Sequence, residues 1–157
     1  MTRLFPAKLA MLVVLGCSPP SGKLLKPESF MLKTLDGEVI DMQVYKGKTI
    51  FINVWATWCK PCRQEMPTIE AAKDKLQDRG VVFLFASPEG AESIAAFRDQ
   101  SPFPFEFVQI ENHGELSITA LPATFIFDPN GNLLFGEEGF RDWSAPENLK
   151  ILTNQQQ

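Results

Sequence analysis

Val54-Trp-Ala-Thr-Trp-Cys-Lys-Pro-Cys62 is the stretch that decides the fold. It continues a nearly unbroken apolar run that begins at Thr49, which is typical of a central strand buried on both faces. After the cysteines, apolar residues recur at helical spacing, so Cys59 and Cys62 lie where a buried strand gives way to a helix. At a helix N-terminus, unpaired N–H groups and the helix dipole favour a thiolate. The motif therefore predicts reactive cysteines.

The Cys59-Lys60-Pro61-Cys62 centre predicts thiol–disulfide exchange. Lys60 adds a positive charge, while Trp58 and the Pro61 ring are expected to limit water, to stiffen the turn and to contact the substrate. In such surroundings the pKa of a thiol commonly falls from about 8.5 into roughly the 3.5–7.5 range. We expect the more exposed Cys59 to attack a disulfide, and Cys62, one turn inward, to attack the resulting mixed disulfide.

The same spacing has two other uses, a structural disulfide and half of a zinc site. A disulfide across two residues closes too short a loop to stabilise the fold much. Zinc would need two more ligands, and Cys17 and His113 are the remaining cysteine and histidine of the chain. We expect no metal and no cofactor beyond the redox-active Cys59–Cys62 pair.

Composition predicts one folded domain. The chain has 157 residues, of which 45% are hydrophobic and 22% charged. The net charge of −4 becomes −6 without Arg3 and Lys8, and no basic cluster occurs. Such a surface argues against nucleic acid or anionic lipid as an electrostatic partner. We expect a monomer that does not bind nucleic acid.

Residues 1–16 are predicted to be an export signal, with Arg3 and Lys8 before a short apolar run. That run is too short for a membrane-spanning helix, which needs about 20 residues. Its end, Val14-Leu-Gly-Cys17, resembles the lipobox of bacterial lipoproteins. The resemblance implies cleavage before Cys17, lipidation of Cys17 and attachment to a bacterial membrane. The alternative is that Cys17 is merely a small apolar residue.

The domain organisation follows from this reading. Residues 17–28 are rich in Pro, Ser and Gly and are expected to form a tether, and residues 29–157 form the domain. The predicted order is a hairpin (Phe30–Thr34 with Glu38–Met42), β-α-β-α-β-α, a second hairpin and a closing helix. This alternation predicts an α/β fold whose sheet has a parallel core and helices on both faces.

The chain resembles the TlpA-like (ResA-type) membrane-anchored thioredoxins. The resemblance is carried by the active-site stretch with Glu65-Met-Pro67, by the Phe30–Gly37 hairpin and by Leu121-Pro-Ala-Thr-Phe-Ile-Phe-Asp-Pro-Asn-Gly131. It implies a thioredoxin fold with a central mixed sheet and an added N-terminal β-hairpin. It also implies that Pro122, after Leu121, is a cis-proline that faces the disulfide and lets a substrate strand pair beside it.

Cytoplasmic thioredoxins carry a buried Asp where this chain has Asn53. The anchored subfamily instead places a Glu after the next strand, and Glu89 falls there. The resemblance thus implies that Glu89 handles protons at the cysteine pair. The alternative is that Glu89 simply favours the first turn of a helix through the dipole.

The same resemblance implies that the protein reduces disulfides in client proteins in the periplasm or another space outside the cytoplasm. Apocytochrome c and copper-site proteins are the implied clients, and a membrane thiol transporter is the implied electron donor. A disulfide oxidant or isomerase is the alternative within the class. A copper-binding assembly chaperone that uses Cys59 and Cys62 as ligands is an alternative from another class.

Overall fold

Six strands form one mixed sheet in the computed structural model, which describes residues 25–153 of the chain. The strands are β1 (Leu32–Lys33), β2 (Thr49–Val54), β3 (Val81–Ser87), β4 (Glu106–Ile110), β5 (Ala123–Phe127) and β6 (Leu133–Glu138). The α-helices are α1 (Lys60–Lys75), α2 (Ala91–Gln100) and α3 (Pro146–Leu152). Short 3-10 helices cover Pro27–Ser29, Met42–Tyr45 and His113–Leu116.

The strand order is β1-β4-β3-β2-β5-β6. The pairs β2–β3 and β3–β4 are parallel, whereas β1 pairs antiparallel with β4, and β5 pairs antiparallel with both β2 and β6. Helices α1 and α2 make the two crossovers between the parallel strands. This mixed sheet with a parallel centre is the predicted thioredoxin architecture.

Alternating side chains of β2 divide the core into two layers. Phe51 and Trp55 face the layer that receives all three α-helices, with Met66 of α1 and Ile94 of α2 among its buried members. Ile52 and its alternate neighbours face the opposite layer, which the N-terminal segment and the two later 3-10 helices cover. Helices therefore cover both faces, but the α-helices share one.

The N-terminal hairpin is shorter than predicted. Only Leu32–Lys33 forms a strand, and the second arm is reduced to a single bridge from Lys33 to Val39. The Asp41 carboxylate accepts a hydrogen bond from the backbone N–H of Gln43 and caps a 3-10 helix there. Because that local bond competes with strand pairing, the chain turns before the arm can lengthen.

The folded region also includes part of the predicted tether. Pro27 is buried, and Leu25 packs against the core. The predicted signal and Cys17 lie outside the described residues. Within residues 25–153, no helix has the length and apolar character needed to cross a bilayer.

Candidate active site

Cys59 and Cys62 are joined by a disulfide at the N-terminus of α1. Cys59 is the N-cap residue, and its sulfur accepts a hydrogen bond of 3.2 Å from the backbone N–H of Cys62. Cys59 keeps 3% of its surface exposed and Cys62 none, so any attack from solvent must occur at Cys59. After reduction, the same N–H and the helix dipole would favour a Cys59 thiolate.

The surroundings of the disulfide are open to a partner. Trp58 has 71% of its surface exposed although it is large and apolar. Lys60 and Pro61, at the first positions of α1, are also exposed. The exposure of Trp58 suits the predicted role in contacting a substrate.

Leu121 and Pro122 lie at the sheet edge that carries the cysteines. Their peptide bond is cis, the conformation that the resemblance implies. Val54, the last residue of β2, is paired with Ala123, the first residue of β5. Because these strands are antiparallel, the chain that leaves β2 towards Cys59 starts beside Pro122. Leu121 is half-buried there, and Pro122 is buried.

Glu89 lies beside the active-site loop. Its carboxylate accepts hydrogen bonds from the backbone N–H of Thr57 at 2.6 Å and from the Thr57 hydroxyl at 2.7 Å. The hydroxyl of Ser87 also donates to it, at 3.2 Å. Thr57 is two residues before Cys59, so Glu89 anchors the loop that leads into the cysteines. Its part in proton transfer stays a prediction.

A second carboxyl, Glu65, is fully buried on α1, three residues after Cys62. One of its oxygens accepts hydrogen bonds from the indole N–H of Trp143 at 2.9 Å and from the backbone N–H of Arg141 at 3.0 Å. The other accepts one from the Asn53 amide at 3.0 Å. Burial raises the pKa of Glu65 to about 7, although these donors favour the carboxylate.

Sequence reasoning missed Glu65 as a functional residue. The residues buried on α1 are Cys62, Glu65, Met66, Ile69 and Ala72, which share one face of the helix. Because Glu65 falls in this helical pattern, the sequence alone places an ionisable group on the buried face of α1. A buried group with a shifted pKa next to a reactive pair is a candidate for proton transfer.

A disulfide at a helix N-terminus, beside a cis-proline on a sheet of this order, defines the thioredoxin-like class. The chain belongs to the AhpC/TSA family, whose model matches residues 26–135.

Two curated relatives share the site region. The thioredoxin-like protein YneN of Bacillus subtilis is 40% identical over 108 residues, which cover 65% of this chain and 63% of YneN. The thiol-disulfide oxidoreductase ResA of Bacillus thuringiensis is 31% identical over 111 residues, covering 68% of this chain and 64% of ResA. The chain thus spans a little under two thirds of the length of these relatives.

A solved structure supports the fold. The crystal structure of a thioredoxin-family thiol:disulfide interchange protein from Chlorobium tepidum has a TM-score of 0.66 and 23% sequence identity. The match covers 85% of this chain and 97% of that protein. At this identity the likeness concerns the fold alone.

Proposed function

We propose that the protein is a thiol–disulfide oxidoreductase that reduces disulfides in client proteins. The observation that carries the proposal is the disulfide at the start of α1, with Cys59 as its more accessible end and the buried Glu65 carboxyl one turn beyond Cys62. The disulfide spans only three positions of the chain, a loop too short to stabilise the fold much, so exchange accounts for it better than a structural role. The names of the relatives ResA and YneN agree with this class.

The first step begins with both cysteines reduced. The Cys59 thiolate attacks one sulfur of a client disulfide, a new bond joins Cys59 to that sulfur, and the other client cysteine leaves as a thiolate. The hydrogen bond from the Cys62 backbone N–H and the helix dipole stabilise the Cys59 thiolate before this attack. Lys60 adds positive charge next to it.

In the second step Cys62 attacks the Cys59 sulfur, and the second client cysteine is released. Cys62 must lose its proton first, and it is buried away from solvent. We propose that Glu65, as a carboxylate, takes that proton. The cysteines of the protein are then oxidised and the client is reduced. Glu89 holds the loop before Cys59 through Thr57.

The compartment, clients and electron supply follow the resemblance. We propose that the protein works outside the cytoplasm or in the periplasm, attached to a membrane through a lipid on Cys17. Its clients would be apocytochrome c or copper-site proteins, and a membrane thiol transporter would reduce it again. An oxidising compartment makes such a supply necessary.

Two measurements test the function. The pre-reduced protein should convert a disulfide-bonded peptide into its dithiol while Cys59 and Cys62 become oxidised. Its reduction potential should lie near the value of about −270 mV that is typical of thioredoxin. A potential near about −120 mV, as in strong oxidants, would instead assign the protein to disulfide formation.

A further inference from the structure

A pocket of about 510 Å³ opens beside the disulfide, between α1 and α2. Thr57 and Arg63 form its wall on the active-site side. Thr57 is two residues before Cys59 and Arg63 directly follows Cys62, so the pocket lies near the cysteines, although neither cysteine lines it. The opposite wall is α2 with residues 101–103, which follow it.

The inner surface of the pocket is apolar and supported by the core. Met66 is fully buried, and Phe97 and Phe103 are half-buried. The ring of Phe97 packs on Trp55 with centroids 4.7 Å apart, and that of Phe103 stacks on Phe105 at 5.3 Å. These rings are held from behind, so the pocket is present before any partner arrives. Pockets of this size and lining suit a large apolar side chain.

The positively charged side chain of Arg63 lines the pocket, and Lys60 lies three residues earlier on α1. Lys60 and Arg63 are both exposed, and the three salt bridges among residues 25–153 involve neither of them. The whole chain has a net charge of −4, so this positive region is a local feature. An exposed guanidinium attracts a carboxylate on a partner.

We propose that this pocket, which we term the client pocket, binds the client segment that flanks the cysteine bonded to Cys59. A large apolar side chain, aromatic in the best clients, fills the pocket, and an acidic residue of the same segment meets Arg63. The inference rests on the proposed function, because the mixed disulfide brings that segment to the pocket. Because Thr57 and Arg63 place one wall of the pocket within two residues of the cysteines along the chain, a client held on Cys59 is the occupant.

The test uses synthetic peptides, each closed by one Cys-Ala-Ala-Cys disulfide. The parent peptide has alanine on both flanks, and in the others one Phe replaces an alanine at a single flanking position. The protein is reduced with dithiothreitol, freed of it and mixed with each peptide. At one or more positions, Phe should raise the second-order rate constant by about tenfold, as one buried apolar side chain can. A Glu beside that Phe should raise it by a further factor of about two, and Arg63→Gln should remove this smaller gain.

Ser93 and Ala96 line the pocket from exposed positions on α2, whereas the neighbouring Glu92 is exposed and outside the lining. Ser93→Trp or Ala96→Trp would fill the pocket and bring the ratio of Phe to parent rate constants close to one. Glu92→Trp is the matched control and should keep the ratio. Circular dichroism of each oxidised variant checks the fold.

The outcomes separate the two proposals. Reduction of the parent peptide without any preference for Phe would overturn the client pocket and leave the proposed function standing. The same holds if both pocket-filling variants keep the preference. If neither the parent nor the Phe peptides are reduced, both proposals are wrong.

Discussion

The side-chain amide of Asn53 donates a hydrogen bond of 3.0 Å to the carboxylate of Glu65, and neither side chain is exposed to solvent. The same amide donates to the hydroxyl of Thr124 on β5, also at 3.0 Å. Asn53 therefore links the helix that begins at the cysteines to the strand that begins beside Pro122. Cytoplasmic thioredoxins carry a buried acid at this position. In this chain Asn53 occupies it and donates a hydrogen bond to an acid on α1.

Glu65 should make the oxidised protein less stable as pH rises. Its pKa is about 7 in the folded protein against a reference of 4.5, so between these values the folded state binds more protons than the unfolded state. The stabilising contribution of protonated Glu65 is fully present below pH 4.5 and is lost as pH rises through about 7. It amounts to about 3 kcal/mol.

Urea unfolding of the oxidised protein at several pH values measures the effect, since the cysteines do not titrate in the disulfide. Glu65→Gln lacks the titration, so the wild type should lose stability relative to this variant between pH 5 and pH 8. A difference between the two proteins that is the same at every pH would contradict the raised pKa.

Asn53→Asp should destabilise the protein in a pH-dependent manner. The new carboxyl would lie within hydrogen-bond distance of Glu65, and the two would titrate as a coupled pair. At pH 8 we expect a loss of about 3 kcal/mol, the order of an uncompensated buried charge. Much of it should be recovered at pH 5, where a shared proton can join the oxygens.

Asn53→Leu is the matched control, because it removes the same hydrogen bonds and adds no charge. Its loss of stability, measured by urea unfolding, should grow with pH less than that of Asn53→Asp, because it removes only one donor that lowers the pKa of Glu65. If Asn53→Asp shows the same pH profile as Asn53→Leu, the two carboxyl groups do not interact.

Local patterns were enough to predict most of the architecture. The apolar run of β2, the Cys-X-X-Cys spacing and the turn before Leu133 each depend on residues near one another in the chain. The first hairpin is shorter than predicted because the cap made by Asp41 competes with pairing. The residue pattern is compatible with either the cap or the strand pairing, so it does not predict which of the two forms.

The carboxyl next to the cysteines was harder to predict, because it depends on long-range contacts. The partners of Glu65 are Asn53, Arg141 and Trp143, which lie 12, 76 and 78 residues away along the chain. Helical periodicity shows that Glu65 faces inward, but only the tertiary structure supplies donors there. Glu89 was found by resemblance, and its bonds to Thr57 lie on the loop before the cysteines.

In the reduced protein Cys59 should be alkylated faster than Cys62 near neutral pH, by about tenfold or more. Cys59 has 3% of its surface exposed and Cys62 has none. The Cys59 sulfur also accepts a hydrogen bond from the backbone N–H of Cys62. Iodoacetamide labelling followed by peptide mass spectrometry measures both rates. Cys62→Ser should trap clients on Cys59 as stable mixed disulfides, whereas Cys59→Ser should trap few. Equal alkylation rates would contradict the assigned roles.

Cys17→Ala should release the protein from the membrane. The prediction rests on the Val14-Leu-Gly-Cys17 box, since long acyl chains hold a protein to a bilayer by roughly 0.8 kcal/mol per buried CH₂. Detergent phase partitioning of cells that express each form is the measurement. Disulfide reduction by the variant should be unchanged. A variant that stays in the detergent phase would rule out the lipid anchor.

Two variants separate the roles of the two carboxyl groups near the cysteines. Resemblance points to Glu89 for proton transfer, whereas the structure has the Glu89 carboxylate bonded to Thr57 and the buried Glu65 carboxyl on the helix of Cys62. The step to measure is release of a thiol from a preformed mixed disulfide on Cys59, because this step requires Cys62 to lose its proton. A general base of this kind contributes about 10²–10⁴-fold to a rate.

We expect release by the wild type to accelerate as pH rises through about 7, where Glu65 becomes a carboxylate. Glu65→Gln should slow release by at least about 10²-fold at pH 8 and remove this inflection. Glu89→Gln is the matched control, since its remaining carbonyl oxygen can still accept the Thr57 N–H, and it should keep the inflection. If the inflection instead disappears in Glu89→Gln and persists in Glu65→Gln, proton transfer belongs to Glu89. Glu65 would then serve only to join α1 to Asn53 and Trp143, through the bonds that its carboxylate accepts.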